Sequence, residues 1–151
     1  MDTGAPEAWM QRALGQARQA LDEKEVPIGA VLAFPDGTYL EGRNSVEKGA
    51  PFDHAEMNVL RAGIARRGRR ALSQAVLYVT AEPCLMCLGA MVQARIGGLV
   101  YGCEEPRFGG IAVLRELWKQ GRYPHRFPVS SGLAADECRA LLQSFFKGLR
   151  D

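Results

Sequence analysis

This sequence has few histidines, few cysteines and little net charge, and long apolar runs are absent from it as well. The 151 residues contain 2 histidines and 4 cysteines, and the formal net charge at neutral pH is only +2. So small a net charge neither demands nor excludes a nucleic acid partner. A chain of this length buries a core without disulfide staples, so we expect one domain over residues 1–151.

Long apolar runs are also missing. No uninterrupted apolar segment approaches the ~20 residues that a membrane-spanning helix needs, so we expect no membrane contact. The segment Met1–Glu7 has neither a basic stretch nor an apolar run, so we expect no secretory signal. The few cysteines, two of them in a metal-binding pattern, fit a reducing cytoplasmic location.

Three of the six histidines and cysteines lie in two short segments. His54 lies in one, and Cys84 and Cys87 follow Pro83 in the other. Zinc accepts imidazole nitrogen and thiolate sulfur, and a catalytic zinc site has three protein ligands and one open position. Cysteines three apart share one face of a helix, and a preceding proline suits the first helical turn. We therefore predict that His54, Cys84 and Cys87 bind one zinc ion.

Glu56 lies two positions after His54, and residues two apart do not share a helix face. Both side chains reach one point if the metal lies beyond the helix N-terminus. Glu56 would then remain unligated, take a proton from a metal-activated water and pass it to the substrate. That role is general acid–base catalysis.

Each part of this pattern has a simpler alternative. Asp53 and Glu56 fit a capping box at the start of a helix. The cysteine pair alone fits a redox pair or half of a structural zinc knuckle, and His54 alone fits a core histidine. A closed structural site needs a fourth ligand from an acid or from the remaining histidine and cysteines: His125, Cys103 and Cys138. The complete order of residues favours the open site.

Hydrophobic periodicity predicts alternating helices and strands. The predicted elements are a helix over 6–24, a hairpin of Val26–Phe34 and Thr38–Asn44, a helix over 54–67, a strand Ala75–Thr80, a helix Cys84–Ala94, a strand Leu99–Cys103, a short helix Ile111–Gln120, an edge strand Phe127–Val129 and a helix Ala134–Leu149. Short connections around Cys84–Ala94 favour a βαβ unit with parallel pairing. A loop, Glu104–Gly110, leaves the last strand of that unit.

Several polar positions have two interpretations at this stage. Asn44 is a turn residue or a hydrogen-bond donor to substrate. The arginines between Arg66 and Arg70 form a solvated face or contact phosphates. Cys103 and Cys138 are predicted to be buried thiols.

Together these segments resemble the cytidine deaminase-like superfamily, and more narrowly the bacterial tRNA-specific adenosine deaminases, which convert the anticodon wobble adenosine to inosine. The order H-x-E followed by P-C-x-x-C is the established signature of zinc-dependent nucleobase deaminases. The resemblance spans nearly the whole chain and is carried by Glu25–Val31, Asn44, His54–Glu56, Leu77–Thr80, Glu82–Cys84, Cys87, Gly89–Met91, Ala94–Ile96 and Leu133–Phe146.

This resemblance implies a three-layer α/β/α domain with a mixed five-stranded sheet, one zinc ion per chain and a homodimer. It implies that Asn44 and the backbone of Ala55 help to hold the base, and that Val26 and Pro27 line its pocket. The implied partner is a tRNA anticodon loop.

The loop after the fourth strand departs from the family pattern of an acidic residue, a lysine and then small residues. Here Glu105, Arg107 and the bulky Phe108 occupy the corresponding positions, where we expect substrate contacts. Asn58 also gives the HAEMN wording found in free-base deaminases. The alternative functions are therefore a free nucleobase or nucleoside deaminase of the guanine or cytosine type, and a non-catalytic binding module stabilised by zinc.

Overall fold

The computed structural model describes residues 5–150. Residues 1–4 and 151 lie outside this description. They belong to the expected domain over residues 1–151, and residues 1–4 also belong to the segment Met1–Glu7. The elements in chain order are α1 Pro6–Asp22, β1 Gly29–Ala33, β2 Tyr39–Arg43, α2 Ala55–Arg67, α3 Arg69–Leu72, β3 Val76–Ala81, α4 Leu85–Ala94, β4 Gly98–Cys103, α5 Ile111–Lys119, β5 Val129–Ser131 and α6 Ala135–Arg150.

The five strands form one mixed sheet in the order β2-β1-β3-β4-β5. Strand β1 pairs antiparallel with both β2 and β3, whereas β3, β4 and β5 run parallel. The predicted hairpin, βαβ unit and mixed five-stranded sheet are thus confirmed. The carboxyl ends of β3 and β4 meet at one edge, where open α/β sheets bind ligands.

Side chains alternate between two cores, one on each face of the sheet. From β3, Leu77 and Val79 pack with α2, α4 and α5, whereas Val76 and Tyr78 pack with α1 and α6. Helices therefore cover both faces, which is the three-layer α/β/α architecture. Among the described residues, no helix is both long enough and apolar enough to cross a bilayer.

Strand β1 begins at Gly29 and not at Val26 as predicted. The N–H of Ile28 donates to the carbonyl of Val26 at 2.8 Å, and the N–H of Glu25 donates to Ala20 at 2.9 Å. These local bonds hold residues 25–28 out of the β ladder.

Several other boundaries differ from the prediction by one or two residues, and two differences are larger. Gly68, with φ of +82°, ends α2 and is followed by the short helix α3, which was not predicted. The edge strand is Val129–Ser131 and does not include Phe127. Phe127 is buried instead, with its ring 5.1 Å from that of Trp118.

Candidate active site

Two helix N-termini meet at the carboxyl edge of the sheet. His54 is the N-cap residue of α2 and Cys84 is the N-cap residue of α4, both with extended backbone and neither making a side-chain capping bond. Their side chains are therefore available to a ligand lying beyond both helix ends. Pro83 precedes the N-cap of α4, so the prediction that it lies in the first helical turn is wrong.

His54, Cys84 and Cys87 converge into one group. The sulfur atoms of Cys84 and Cys87 are 3.7 Å apart, and they lie 3.6 and 3.5 Å respectively from Nδ1 of His54. Among residues 5–150, no other histidine, cysteine or acid joins this group as a further ligand. His125 instead contacts the carbonyl of Ile96 at 2.9 Å through Nε2.

The three side chains share charge in a way that suits a metal cation. Hydrogen bonding with Cys87 and then with His54 lowers the pKa of Cys84 to about 4. The Cys84 contact raises the pKa of Cys87 and also raises the pKa of His54. One thiolate therefore already exists at neutral pH, and a cation that displaces the remaining protons completes the ligand set.

Glu56 lies in the first turn of α2, with 3% of its surface exposed. The capping-box alternative for Asp53 and Glu56 is wrong, because α2 begins after His54. Asp53 instead accepts the N–H of Ala50 at 2.8 Å. Burial raises the pKa of the Glu56 carboxyl to about 7, close to the ideal for a group that both takes and gives protons at neutral pH.

A cavity of about 660 Å³ opens over this group. Of the residues predicted to take part in the site, those that line it are Val26, Asn44, His54, Glu56, Cys84, Glu105, Arg107 and Phe108. Pro27, Ala55 and Cys87 are buried and do not belong to the lining.

Asn44 connects the hairpin to α2, the helix that begins after His54. It is 5% exposed, and its Oδ1 accepts the N–H of Ala55 at 2.9 Å. Asn58 lies behind this contact, where its amide donates to the carbonyl of Arg43 at 2.8 Å and to the hydroxyl of Ser45 at 3.0 Å. Asn58 therefore supports the end of β2 and does not line the cavity.

The loop after β4 forms one rim of the cavity. The guanidinium of Arg107 lies 4.4 Å above the ring of Phe146 on α6 and 5.5 Å from that of Phe108. Phe108 is 67% exposed. Phe145 and Phe146 of α6 line the same cavity. Both lie in the segment Leu133–Phe146 that carries the resemblance, but neither was predicted to take part in the site.

Two carboxylates in the cavity wall were not predicted. Glu25, 1% exposed, accepts the N–H groups of Glu47 and Lys48, at 3.0 and 3.3 Å for the shorter contact to each. Glu82 accepts the N–H groups of Glu105 and Ile111 at 3.2 and 3.1 Å. The N–H groups that each carboxylate accepts are distant in sequence, so no local pattern identifies Glu25 or Glu82 as part of the cavity wall. The position of Glu82 directly before Pro83 is the one sequence feature that points to the site.

The arginines between Arg66 and Arg70 lie at the opposite end of α2 from His54. A helix of 13 residues is about 20 Å long, so they are remote from the cavity. Cys103 and Cys138 are both buried at 1% exposure, which confirms the prediction that they are core thiols.

Comparisons with known proteins agree with this geometry. The model of the MafB19-like deaminase family matches residues 5–150. The tRNA-specific adenosine deaminase of Bacillus subtilis (strain 168) is 37% identical over 145 residues, which are 95% of this chain and 90% of that protein. A solved structure from work on A-to-I editing by tRNA:A34 deaminases gives a TM-score of 0.82 at 39% identity, covering 89% of this chain and 99% of its own. Guanine deaminase from Nitrosomonas europaea gives 0.78 at 26% identity, covering 96% and 86%.

Proposed function

The chain belongs to the MafB19-like deaminase family, and on that premise we propose that it converts the wobble adenosine of a tRNA anticodon loop to inosine. The observation that carries this proposal is the buried Glu56 beside His54, Cys84 and Cys87 under one open cavity. The relatives named tRNA-specific adenosine deaminase support the choice of substrate.

Zinc is the proposed metal, and the ligand spacing fits it. Zinc–sulfur bonds of about 2.3 Å and zinc–nitrogen bonds of about 2.0–2.1 Å at tetrahedral angles require edges of about 3.8 Å between sulfurs and about 3.5 Å from sulfur to nitrogen. The distances here are 3.7 Å between the sulfurs and 3.6 and 3.5 Å to Nδ1. A set of two thiolates and one imidazole also favours zinc over harder cations.

When bound, zinc in such a site makes water nucleophilic at neutral pH. Glu56 accepts a proton that this water loses and delivers it to a ring nitrogen of the adenine. A second proton transfer through Glu56 reaches the leaving amino group, so water and adenosine become inosine and ammonia. The pKa of about 7 lets Glu56 work in both directions.

The base is held by groups around the cavity floor. Asn44 contacts the base through its amide. Val26 forms an apolar part of the cavity wall, and the buried Pro27 packs behind it. The N–H of Ala55 already donates to Asn44, so the backbone of Ala55 acts by orienting that amide. A base flipped out of an RNA loop enters such a pocket without the rest of its strand.

The rim of the cavity suits an RNA strand better than a free base. A volume of about 660 Å³ exceeds what one flat base fills, and the exposed ring of Phe108 stands at its edge. Exposed aromatic rings stack on bases of single-stranded RNA. Glu105 lies 3.5 Å from the guanidinium of Arg107, which extends over the rim and contacts the RNA backbone.

The Arg107 contact is testable against a remote arginine. Arg107→Ala is expected to weaken stem-loop binding and to reduce the magnitude of its salt slope by about 0.7–1. Arg69→Ala removes the same charge at the far end of α2 and is expected to change neither. If both variants flatten the slope equally, phosphate contacts extend to the Arg66–Arg70 cluster.

The proposed active form is a cytoplasmic homodimer. Three exposed apolar side chains on neighbouring helices support a partner surface: Leu85 at 51%, Met86 at 39% and Val113 at 48%. All four cysteines are free, which supports a reducing compartment. Sedimentation of the wild type and of Leu85→Glu tests the dimer, because a monomeric wild type at micromolar concentration contradicts it.

A free-base deaminase is the second candidate, favoured by the similarity to guanine deaminase. The decisive experiment measures inosine in an arginine tRNA anticodon stem-loop beside ammonia release from free adenosine, cytosine and guanine. Wild type is compared with Glu56→Ala, which must be inactive, and with Glu104→Gln, an exposed carboxylate that must not matter. Turnover of a free base with an inert stem-loop would move the chain to the second candidate.

A further inference from the structure

The loop between β4 and α5, residues 104–110, is attached to the metal-binding segment at both of its ends. At the start, the N–H of Glu82 donates to Cys103 at 2.8 Å, and the Glu82 carboxylate accepts the N–H of Glu105 at 3.2 Å. At the end, Gly110 donates to the carbonyl of Pro83 at 2.9 Å, and Ile111 donates to Glu82 at 3.1 Å.

From this we infer that Glu82 is a positioning residue, which sets the loop carrying Glu105, Arg107 and Phe108 relative to the metal ligand Cys84. It reaches the loop start through Oε1 and the loop end through Oε2. The inference extends the proposed function, because it names what aligns the rim of the cavity with the reacting centre.

The carboxylate is also the N-terminal cap of α5. Gly110, the N-cap residue, has no side chain, and no side-chain cap bond is made at this helix start within its own segment. The Ile111 N–H is one of the donors that a helix leaves unpaired, and Glu82 satisfies it from another strand. A negative charge at a helix N-terminus is stabilising, so charge and geometry act together.

Close packing at Gly109 shows how tightly the loop is seated on Glu82. A methyl group added at Gly109 would lie 2.3–2.4 Å from the carboxyl carbon and both oxygens of Glu82. The φ of Gly109 is not in the left-handed region, so the glycine is needed for this contact and not for a backbone bend. The backbone of Gly109 therefore packs directly against the Glu82 carboxylate, which leaves no space between the loop and that side chain.

Glu82→Gln tests this role with little change in volume. The amide keeps one acceptor but turns a donor toward one backbone N–H, so one of the two attachments is lost. Amide exchange at Glu105 and Ile111 is expected to become about tenfold faster, and KM for the stem-loop to rise about tenfold with kcat changed by less than about threefold. Zinc content is expected to stay near that of the wild type, and the melting temperature to fall by only a few degrees, because one capping bond of α5 is weakened while the fold is kept.

Gly109→Ala is the second variant, because it disturbs the same contact without removing the carboxylate. It should reproduce the faster exchange and raised KM, and the double variant should add little to either single change. Glu104→Gln, which removes an exposed charge from the same loop, should change none of these readouts.

Three results would overturn the inference. Exchange and KM that match the wild type would remove the positioning role. Loss of zinc or of the folded state in both variants would make Glu82 a general structural residue. A fall in kcat with unchanged exchange would make it a catalytic group. Exchange and zinc content need no substrate, so they remain informative even if the stem-loop proves inert and the proposed function fails.

Discussion

The amide oxygen of Asn44 accepts the backbone N–H of Ala55 at 2.9 Å, and both residues are at most 5% exposed. Asn44 ends the β1–β2 hairpin, and Ala55 is the first helical residue after His54. Asn44 also donates its own N–H to the carbonyl of Ile28 at 3.1 Å. One side chain therefore ties the cavity wall to the start of α2, where the candidate metal ligand His54 and Glu56 lie.

Replacing Asn44 separates its structural part from its contact with substrate. Asn44→Ala leaves the buried Ala55 N–H without a partner and is expected to cost about 1–3 kcal/mol of stability. Asn44→Asp keeps the acceptor but lacks the amide N–H, so stability should be largely retained while KM rises. Urea denaturation and steady-state kinetics of the two variants check this. An Asn44→Asp enzyme with wild-type KM would remove the substrate contact.

Thiol labelling should distinguish the four cysteines. Cys84 has a pKa of about 4 and is partly exposed, whereas burial raises the pKa of Cys138 to about 12 and raises that of Cys103 as well. Iodoacetamide at neutral pH is therefore expected to modify Cys84 first in zinc-free protein, because the thiolate is the reactive form.

Zinc should protect Cys84 from that reaction, and unfolding in urea should expose all four thiols equally. Peptide mass spectrometry after timed quenching gives the rates. Equal labelling of Cys84 and Cys138 in the folded, zinc-free protein would contradict the assigned environment of the pair.

Zinc binding should release protons near pH 7. His54 and Cys87 both have raised pKa values and must lose protons before they bind the metal, whereas Cys84 is already a thiolate. We expect about one to two protons per zinc, and an apparent affinity that falls as the pH falls. Calorimetry in buffers of different ionisation enthalpy measures the number.

Glu56→Gln provides the matched control for this count. With a pKa of about 7, Glu56 is partly protonated at neutral pH, and a nearby cation favours its ionised form. The variant should therefore release a fraction of a proton less than the wild type. A heat of binding independent of the buffer would contradict the proton count for both proteins.

Two glycines in contact with α1 or within it should respond oppositely to alanine. A methyl group at Gly29 would lie 2.0 Å from the carbonyl oxygen of Ala13 and 2.6 Å from the nitrogen of Ala17, so α1 must move off the sheet. Gly29→Ala is expected to cost at least about 1–3 kcal/mol. Gly15, inside α1, has nothing within 4 Å of an added methyl group, and Gly15→Ala is expected to add about 0.5–1 kcal/mol.

Urea denaturation measures both changes in one experiment. The critical result is that the two changes in the free energy of unfolding have opposite signs. If alanine were destabilising at any glycine, both variants would unfold at a lower urea concentration than the wild type. A Gly29→Ala protein as stable as the wild type would show that α1 and β1 can separate at little cost.

Local sequence patterns predicted most of the elements and the three side chains that converge as the candidate metal-binding group. Helical periodicity identified α1 and α6, and β-branched runs with turn signals identified the β1–β2 hairpin. Such patterns succeed because they record which face of an element is buried. The sulfur and imidazole ligands were identifiable because so few residues in the chain have that chemistry.

The failures came at a local helix boundary that the spacing leaves open and at contacts that join distant segments. The spacing of Asp53 and Glu56 fits a capping box as well as it fits an active-site glutamate. Only the start of α2 after His54 excludes the capping box. Glu82 bonds Ile111, 29 positions away, so its role is invisible before the sheet brings β3 and β4 together. Asn58 looked like a signal of specificity, but its amide supports the end of β2.

The sequence by itself determined which chemical groups are available to the candidate site: a histidine, two cysteines and a glutamate in the order H-x-E and P-C-x-x-C. The tertiary structure decided where that chemistry operates. Strand β1 pairs antiparallel with both β2 and β3, so the carboxyl ends of β2 and β3, and with them the N-termini of α2 and α4, lie at one edge of the sheet. Burial there shifts the pKa of Glu56 to about 7. Spacing is a property of the chain, whereas burial and convergence exist only after distant segments have packed.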